Sequence, residues 1–231
     1  MAIRAVVFDL FHTLTRRESE WSNLPWTSDA LGIARTTWYE ALTKRSRWRL
    51  AGHVTDPIEI VRSLALEIDP TLTEEAILAA AGYRQARFQE SLSRIPAANV
   101  AVLDELRRRG LLLGLISNAD VSEIASYSRC PLAGCFDSEI FSCAVGAVKP
   151  EPEIYRASLT ALGVEPAECV FVGDGGSDEL KGAREVGLYA VLMSGVIEEM
   201  WPERIPTLAQ DADAHIRSLS ELLGLPILQP S

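Results

Sequence analysis

The stretch Ala5-Val6-Val7-Phe8-Asp9-Leu10-Phe11-His12-Thr13 decides the fold of this chain. Its first four residues form a continuous apolar run, which predicts a short strand buried on both faces. The polar residues begin at the carboxyl end of that run, with Asp9. Ligands of open parallel sheets bind beyond the carboxyl ends of the strands, so Asp9 is a candidate functional residue.

Beyond this strand, residues 16–96 show helical patterns and no strand-like run. Helices are predicted over about 28–50, from 57 onward and over about 73–92. The second has the clearest start, because Asp56 can cap it, Pro57 occupies its first turn and Glu59 follows three residues after the cap. We therefore expect a helical domain over 16–96, inserted into a core made of 1–15 and 97–231.

After residue 96, helical and strand-like patterns alternate. Strands are predicted at 111–116, 138–141, 169–172 and 188–193, and helices at 99–109, 121–128, 151–162 and 178–186. Glycines follow three of these helices, at Gly110, Gly163 and Gly187. Such alternation is typical of an α/β fold with a Rossmann-like, doubly wound parallel sheet.

Polar groups lie at four strand ends or neighbouring loops, and parallel topology would bring them to one rim of the sheet. Asp9 is followed by Thr13, the second strand by Ser117 and Asn118, and a later loop contains Lys149. The strand at 169–172 runs into an acidic, glycine-rich turn at 173–179. The set suits phosphoryl-type chemistry, in which a carboxylate attacks, other carboxylates hold a hard cation, and a lysine and a hydroxyl hold the transferred group.

Four motifs in order resemble those of the haloacid dehalogenase superfamily, and the resemblance spans most of the chain. The motifs are 8–14 (FDLFHTL), 116–118 (ISN), 149–155 (KPEPEIY) and 172–183, which begins with VGD and ends with GA. The insert at 16–96 lies where this family has a helical cap. The resemblance implies a hydrolase with a substrate bound between core and cap.

The resemblance also implies roles for individual residues. Asp9 would be the nucleophile, and Mg²⁺ would be held by Asp9, Asp174 and the backbone carbonyl of Phe11. Either Asp178 or Glu179 would complete the metal site. Ser117 and Lys149 would bind the transferred group, with Thr13 as a further catalytic residue and Asn118, Phe11 and His12 in contact with substrate.

One position departs from the pattern of the family's phosphatases. They usually carry a second aspartate two positions after the nucleophile to protonate the leaving oxygen, and Phe11 occupies that position here. Haloacid dehalogenases have an aromatic residue there, but they lack magnesium and the Gly-Asp pair found here at 173–174. We favour a magnesium-dependent phosphatase of a small phosphorylated metabolite. A dehalogenase and a non-catalytic binding module remain alternatives. His12 is a candidate for the missing acid because histidine titrates near neutral pH.

Composition and charge exclude several other classes. The 231 residues are 48% hydrophobic and carry a formal charge of −10, which disfavours nucleic acid as a partner and leaves a small anionic substrate as the expected one. No apolar run is long enough to cross a membrane, and no signal peptide is recognisable. Four cysteines without a C-x-x-C pair favour reduced thiols in a cytoplasm. The oligomeric state stays open.

A basic cluster in the insert stands out in so acidic a chain. It contains Lys44, Arg45, Arg47 and Arg49. Arg49 is our candidate to contact the leaving group of an anionic substrate, although a solvated helical face is the commoner role of such a cluster. Four tryptophans of the insert, at positions 21, 26, 38 and 48, either line a substrate pocket or pack the insert against the core.

Overall fold

A computed structural model of the chain describes residues 2–229. Six parallel strands form one sheet in the order β3-β2-β1-β4-β5-β6. Their bounds are β1 Ala5–Phe8, β2 Leu112–Ser117, β3 Ser138–Phe141, β4 Cys169–Gly173, β5 Tyr189–Met193 and β6 Ala214–Ile216. This is the Rossmann strand order, and the chain direction across the sheet reverses between β1 and β4. The predicted α/β class with a doubly wound parallel sheet is confirmed.

Helices cover both faces of the sheet, and the regular secondary structure between β1 and β2 is entirely helical. The α-helices are α1 Thr27–Leu31, α2 Arg35–Lys44, α3 Ser46–Leu50, α4 Pro57–Ile68, α5 Glu74–Ser93, α6 Ala97–Arg108, α7 Val121–Ile124, α8 Ser142–Val145, α9 Pro152–Leu162, α10 Glu179–Val186, α11 Gly195–Met200 and α12 Ile205–Leu208. Short 3₁₀ helices lie at Glu18–Glu20, Tyr127–Arg129, Pro166–Glu168, Gly176–Asp178, Pro202–Arg204, Ala209–Asp211, Leu219–Gly224 and Pro226–Leu228. Within residues 2–229 no helix is long and apolar enough to cross a bilayer.

Two apolar layers sandwich the sheet, because side chains alternate along each buried strand. In β1, Val6 and Phe8 pack on one face with α6, and Ala5 and Val7 pack on the other with α9. A third apolar cluster belongs to α1, α2, α4 and α5 and includes buried Trp38. These four helices therefore have an apolar core of their own, separate from the layers on the sheet.

Two predicted helices are wrong as drawn. The single helix expected over 28–50 is three helices, because α1 ends at Gly32 in the left-handed conformation (φ 67°) and α2 ends at Arg45. The helix expected over 121–128 stops at Ile124 and continues only as a 3₁₀ turn. The start of α4 is as predicted, with the Asp56 side chain accepting hydrogen bonds from the backbone amides of Ile58 and Glu59.

Candidate active site

Asp9 lies directly after β1, at the point where the strand order reverses. Its backbone amide still donates to the carbonyl of Val172 in β4 (2.9 Å), so the sheet fixes the position of the residue. The carboxylate is buried. One oxygen, Oδ1, accepts from Lys149 Nζ at 2.5 Å, and the other, Oδ2, accepts from the Thr13 hydroxyl at 3.0 Å. The side chain that sequence reasoning identified as a nucleophile is thus held by two neighbours.

Two further carboxylates lie beside it. Asp174 follows β4 and Glu179 begins α10, and an oxygen from each of these and from Asp9 lie within 4.8 Å of one another. The backbone amides of Gly175 and Gly176 donate to Glu179 Oε1 (3.0 Å) and Asp174 Oδ1 (2.8 Å). These bonds hold the acidic pair in place.

Position 173 must be glycine for this arrangement. A Cβ atom on Gly173 would lie 2.2 Å from Glu179 Oε1, so any side chain there would displace the carboxylate. Gly182 has a similar role one turn into α10, where a Cβ would lie 2.7 Å from the Pro150 Cβ and 2.9 Å from the Tyr155 hydroxyl. The glycines of this fourth motif therefore allow the close approach of α10 to the loop containing Lys149.

The electrostatics of the cluster leave negative charge only partly compensated. Burial and the neighbouring Asp9 carboxylate raise the pKa of Glu179 well above its usual value. Burial also raises the pKa of Asp9, although Lys149 opposes this. Burial alone would lower the pKa of Lys149, but Asp9 and Glu179, which both accept hydrogen bonds from its ammonium group, raise it. Lys149 thus bonds two of the three buried carboxylates, Asp9 and Glu179.

This donor set fits a hard divalent cation. Mg²⁺ prefers oxygen ligands and is commonly bound by one or two carboxylates with water. A cation among Asp9, Asp174 and Glu179 would counter the burial and the carboxylate repulsion that raise the pKa values of Asp9 and Glu179.

The structure separates the two candidates for the last acidic position. Ser177 and Asp178 both adopt left-handed backbone conformations (φ 54° and 52°), which turn the chain so that Glu179 faces the cluster. Asp178 is exposed and is not one of the three clustered carboxylates. Of the two residues left open by the sequence, the geometry therefore favours Glu179 as the third metal ligand.

The second motif supplies one free hydroxyl and one structural amide. Ser117 ends β2 at the same edge of the sheet as Asp9, and its buried hydroxyl has no hydrogen-bond partner among residues 2–229. Asn118, predicted to contact substrate, instead bonds the backbone of Lys149 twice, accepting from its amide (2.8 Å) and donating to its carbonyl (3.0 Å). The Asn118 side chain holds the loop that contains Lys149, which is the physical reason for this difference from the prediction.

Phe11 and His12 face an aromatic cluster. The Phe11 ring packs against Trp21 and Phe88, with centroid distances of 5.6 and 5.4 Å. His12 Nδ1 lies 3.4 Å from Asp174 Oδ2, whereas its buried Nε2 has no partner in the described chain. Burial would lower the pKa of His12, but the hydrogen bond to Asp174 and the charges of Asp174, Glu18 and Asp9 together raise it.

Arg49 was predicted to contact an anionic substrate, but its side chain is already paired with carboxylates of the protein. Its guanidinium pairs with Asp120 Oδ2 at 2.8 Å and Glu123 Oε1 at 3.1 Å. Arg84 of α5 contacts the same two oxygens at 2.8 Å each. These four residues, which we call the Arg84 network, join α3 and α5 of the insert to α7 of the core. Sequence reasoning missed all but Arg49, although Asp120-x-x-Glu123 has the form of a capping box.

A cavity of about 690 Å³ lies between the insert helices and loops of the core. Trp21 and Phe88 line it and also contact Phe11, so it adjoins the segment that follows Asp9. Ser177, in the loop after Asp174, is part of its wall on the core side. The cavity is large enough for a small organic molecule.

Comparisons with known proteins agree with this fold. Residues 3–187 match the family model described as haloacid dehalogenase-like hydrolase. The chain is 32% identical over 212 residues to phosphatase MT3486 of Mycobacterium tuberculosis, covering 84% of this chain and 88% of that protein. It is 36% identical over 113 residues to phosphoserine phosphatase of Thermus thermophilus, covering 47% and 44%. A solved L-2-haloacid dehalogenase superposes with a TM-score of 0.69 at 24% identity, covering 100% of each chain, which shows the shared fold.

The chain belongs to the haloacid dehalogenase-like hydrolase family. This is a family of hydrolases; the curated relatives of the chain include phosphatases, and the solved structures that share its fold include a haloacid dehalogenase. The chain spans less than half the length of two curated relatives that it matches, 44% of the Thermus enzyme and 20% of bifunctional epoxide hydrolase 2 from Rattus norvegicus.

Proposed function

We propose that the chain is a magnesium-dependent phosphatase of a small phosphorylated metabolite, acting through a covalent aspartyl intermediate on Asp9. The observation that carries the proposal is the pair of buried carboxylates, Asp174 and Glu179, beside the nucleophile. Without a cation, these charges would repel an anionic substrate. The M. tuberculosis phosphatase, similar over most of its length, supports the same reaction class.

In the proposed reaction, a carboxylate oxygen of Asp9 forms a bond to phosphorus while the bond from phosphorus to the leaving oxygen breaks. Lys149 and Thr13 orient the carboxylate, and the charge of Lys149 opposes the rise in the pKa of Asp9 that burial causes. The free hydroxyl of Ser117 would donate to an oxygen of the transferred group. Water then hydrolyses the acyl phosphate and restores Asp9.

Asp9, Asp174 and Glu179 would hold the magnesium ion, together with the backbone carbonyl of Phe11. When bound, the ion would neutralise charge on the phosphoryl oxygens as the transfer proceeds. We further propose that the segment 16–96 is a cap domain whose closure over the cavity excludes water. Its separate apolar core supports this division.

Carbon–halogen hydrolysis is the second candidate, and one observation favours it. Phe11, packed between Trp21 and Phe88, cannot donate a proton, and a halide leaves without one.

His12 is the proposed acid in the phosphatase reaction, because its Nε2 has no partner within the described chain. Unchanged turnover and pH profile in His12→Ala would exclude that role.

A panel of phosphate esters and haloacids, each assayed with magnesium and with EDTA, tests both candidates. We expect phosphate release that requires magnesium, its loss in Asp9→Asn and its retention in the exposed control Asp104→Asn. Halide release in EDTA would instead establish the dehalogenase. Activity retained in Asp9→Asn would defeat both mechanisms.

A single turnover in heavy-oxygen water distinguishes the two intermediates. Water attacks an acyl phosphate at phosphorus, so the label should appear in phosphate. Water attacks an alkyl ester at its carbonyl carbon, so the label would then appear in the Asp9 peptide, detected by mass spectrometry.

A further inference from the structure

Four arginines line the cavity beside the site, and one of them has no carboxylate partner among residues 2–229. Arg35, Arg49 and Arg84 all line it, and each has a carboxylate partner: Arg35 pairs with Asp29 at 2.8 Å, and the other two belong to the Arg84 network. Arg87 also lines the cavity but forms no ion pair with a carboxylate of residues 2–229. One cationic group of the cavity wall is therefore without a counter-ion.

Arg87 is nevertheless buried and fixed in place. The residue is only 5% exposed. Its nitrogens donate to the backbone carbonyls of Leu24 (2.5 Å), Ser22 (3.3 Å) and Glu18 (3.5 Å). Burial lowers its pKa, with Glu18 opposing this only as a more distant charge. A buried guanidinium bonded only to neutral groups gains free energy when an anion reaches it.

Aromatic side chains lie next to the Arg87 guanidinium. Its guanidinium lies over the Trp26 ring, with its carbon 3.8 Å from the ring centroid. Trp26, Trp38 and Phe88 all line the same cavity. Arg84, Arg87 and Phe88 lie three and four residues apart on α5, which places them on one helical face. The wall therefore offers aromatic surface for a planar group next to one charge for an anion.

We infer that the leaving group of the substrate has a planar apolar part and a carboxylate, the carboxylate pairing with Arg87 and the planar part packing on Trp26 and its aromatic neighbours. This inference rests on the proposed phosphatase function and deepens it by naming the substrate class: an organic phosphate with a second, carboxylate anion. The phosphate occupies the Asp9 site, and the remainder of the substrate fills the cavity.

Two substrates that differ only in the carboxylate test the inference. They are phenyl phosphate and para-carboxyphenyl phosphate. We expect the wild type to prefer the carboxylated ester in kcat/KM by about 10-fold or more, because a charge-assisted hydrogen bond in a buried site contributes on this order. Arg87→Met should remove the preference, and Arg87→Lys, which keeps the charge, should retain part of it.

The ratio of the two kcat/KM values is measured in one preparation, so a partly unfolded variant does not affect it. Arg35→Met is the matched control, because Arg35 lines the same cavity and also lies over Trp26 but is paired with Asp29. It should keep the wild-type ratio. A wild-type ratio near one, or an unchanged ratio in Arg87→Met, would overturn the inference.

A binding measurement separates this inference from the proposed function. Para-hydroxybenzoate, the product of the carboxylated ester, should quench tryptophan fluorescence in the wild type and bind at least about tenfold more weakly to Arg87→Met. If neither ester is hydrolysed but this difference is found, the phosphatase proposal fails and the carboxylate site stands. Equal binding to the two proteins would refute the site whatever the turnover.

Discussion

Replacing Arg84 with methionine should destabilise the protein by about 3–5 kcal/mol, because it breaks a buried ion cluster by removing one partner. The Arg84 side chain is 5% exposed, and its Nη2 lies 2.8 Å from both Asp120 Oδ2 and Glu123 Oε1. Asp120 is fully buried. After the change, Arg49 alone would face two carboxylates that are almost fully buried, while methionine preserves most of the apolar stem.

Urea unfolding at neutral pH measures the change, and a thermal melt should show a midpoint lowered by roughly 6–20 °C for a chain of this size. Arg62→Met is the matched control in the same insert. Its partners Glu59 and Glu74 are at the surface, so its loss should destabilise the protein much less than the loss of Arg84. Adding Glu123→Gln to Arg84→Met should restore part of the stability, because it removes one of the uncompensated charges.

The reasoning is refuted if Arg84→Met costs no more than Arg62→Met. It is also refuted if the effects of Arg84→Met and Glu123→Gln simply add, since residues of one ion cluster should show an interaction energy of at least about 0.5 kcal/mol.

Three further predictions follow from the site and the core. Glu179→Gln should lower magnesium-dependent turnover by at least about 100-fold. Asp178→Asn, outside the carboxylate cluster, should change turnover by no more than about twofold. Equal effects of the two variants in a magnesium titration would contradict the assignment of Glu179 as the metal ligand. Gly173→Ala should reduce turnover similarly while circular dichroism stays native, because its Cβ would displace the Glu179 carboxylate; wild-type activity would contradict this. Burial raises the pKa of Cys169 from 9.0 to about 12. Above pH 9 the unfolded chain therefore loses a proton that the folded chain keeps, so the free energy of unfolding falls as the pH rises. Compared with Cys169→Ala, the wild type should lose up to about 1.4 kcal/mol more per pH unit in urea unfolding; parallel slopes would show that the thiol is not protected.

The strands β1 to β5 and the rim of polar residues were predictable because they depend on local patterns. A four-residue apolar run followed by Asp9 identifies a buried strand and its functional end, whatever the rest of the chain does. Which of Asp178 and Glu179 faces inward could not be predicted, because it depends on two left-handed residues that the sequence does not mark. The three-residue edge strand β6 is too short for any periodicity to appear.

Side-chain partners far apart in sequence were the main source of error. Asn118 is an obvious polar residue at a strand end, but its hydrogen bonds go to the Lys149 backbone in a distant loop. Arg49 belongs to a basic run, and its counter-ions at Asp120 and Glu123 belong to the core. Arg87 has no local feature that distinguishes it from other helical arginines. Such pairings require tertiary structure.

The central position of β1 has a consequence for how the molecule folds. Ala5 pairs with Leu112 on one side and with Cys169 on the other, each more than 100 residues later in the chain. Loop-closure entropy opposes such distant pairings, so this part of the sheet should assemble slowly. Until β4 docks, the apolar edge of β1 stays open to other chains, which makes incompletely folded protein prone to aggregate. Chaperone dependence during expression would therefore reflect the topology of the sheet, even with a native state of ordinary stability.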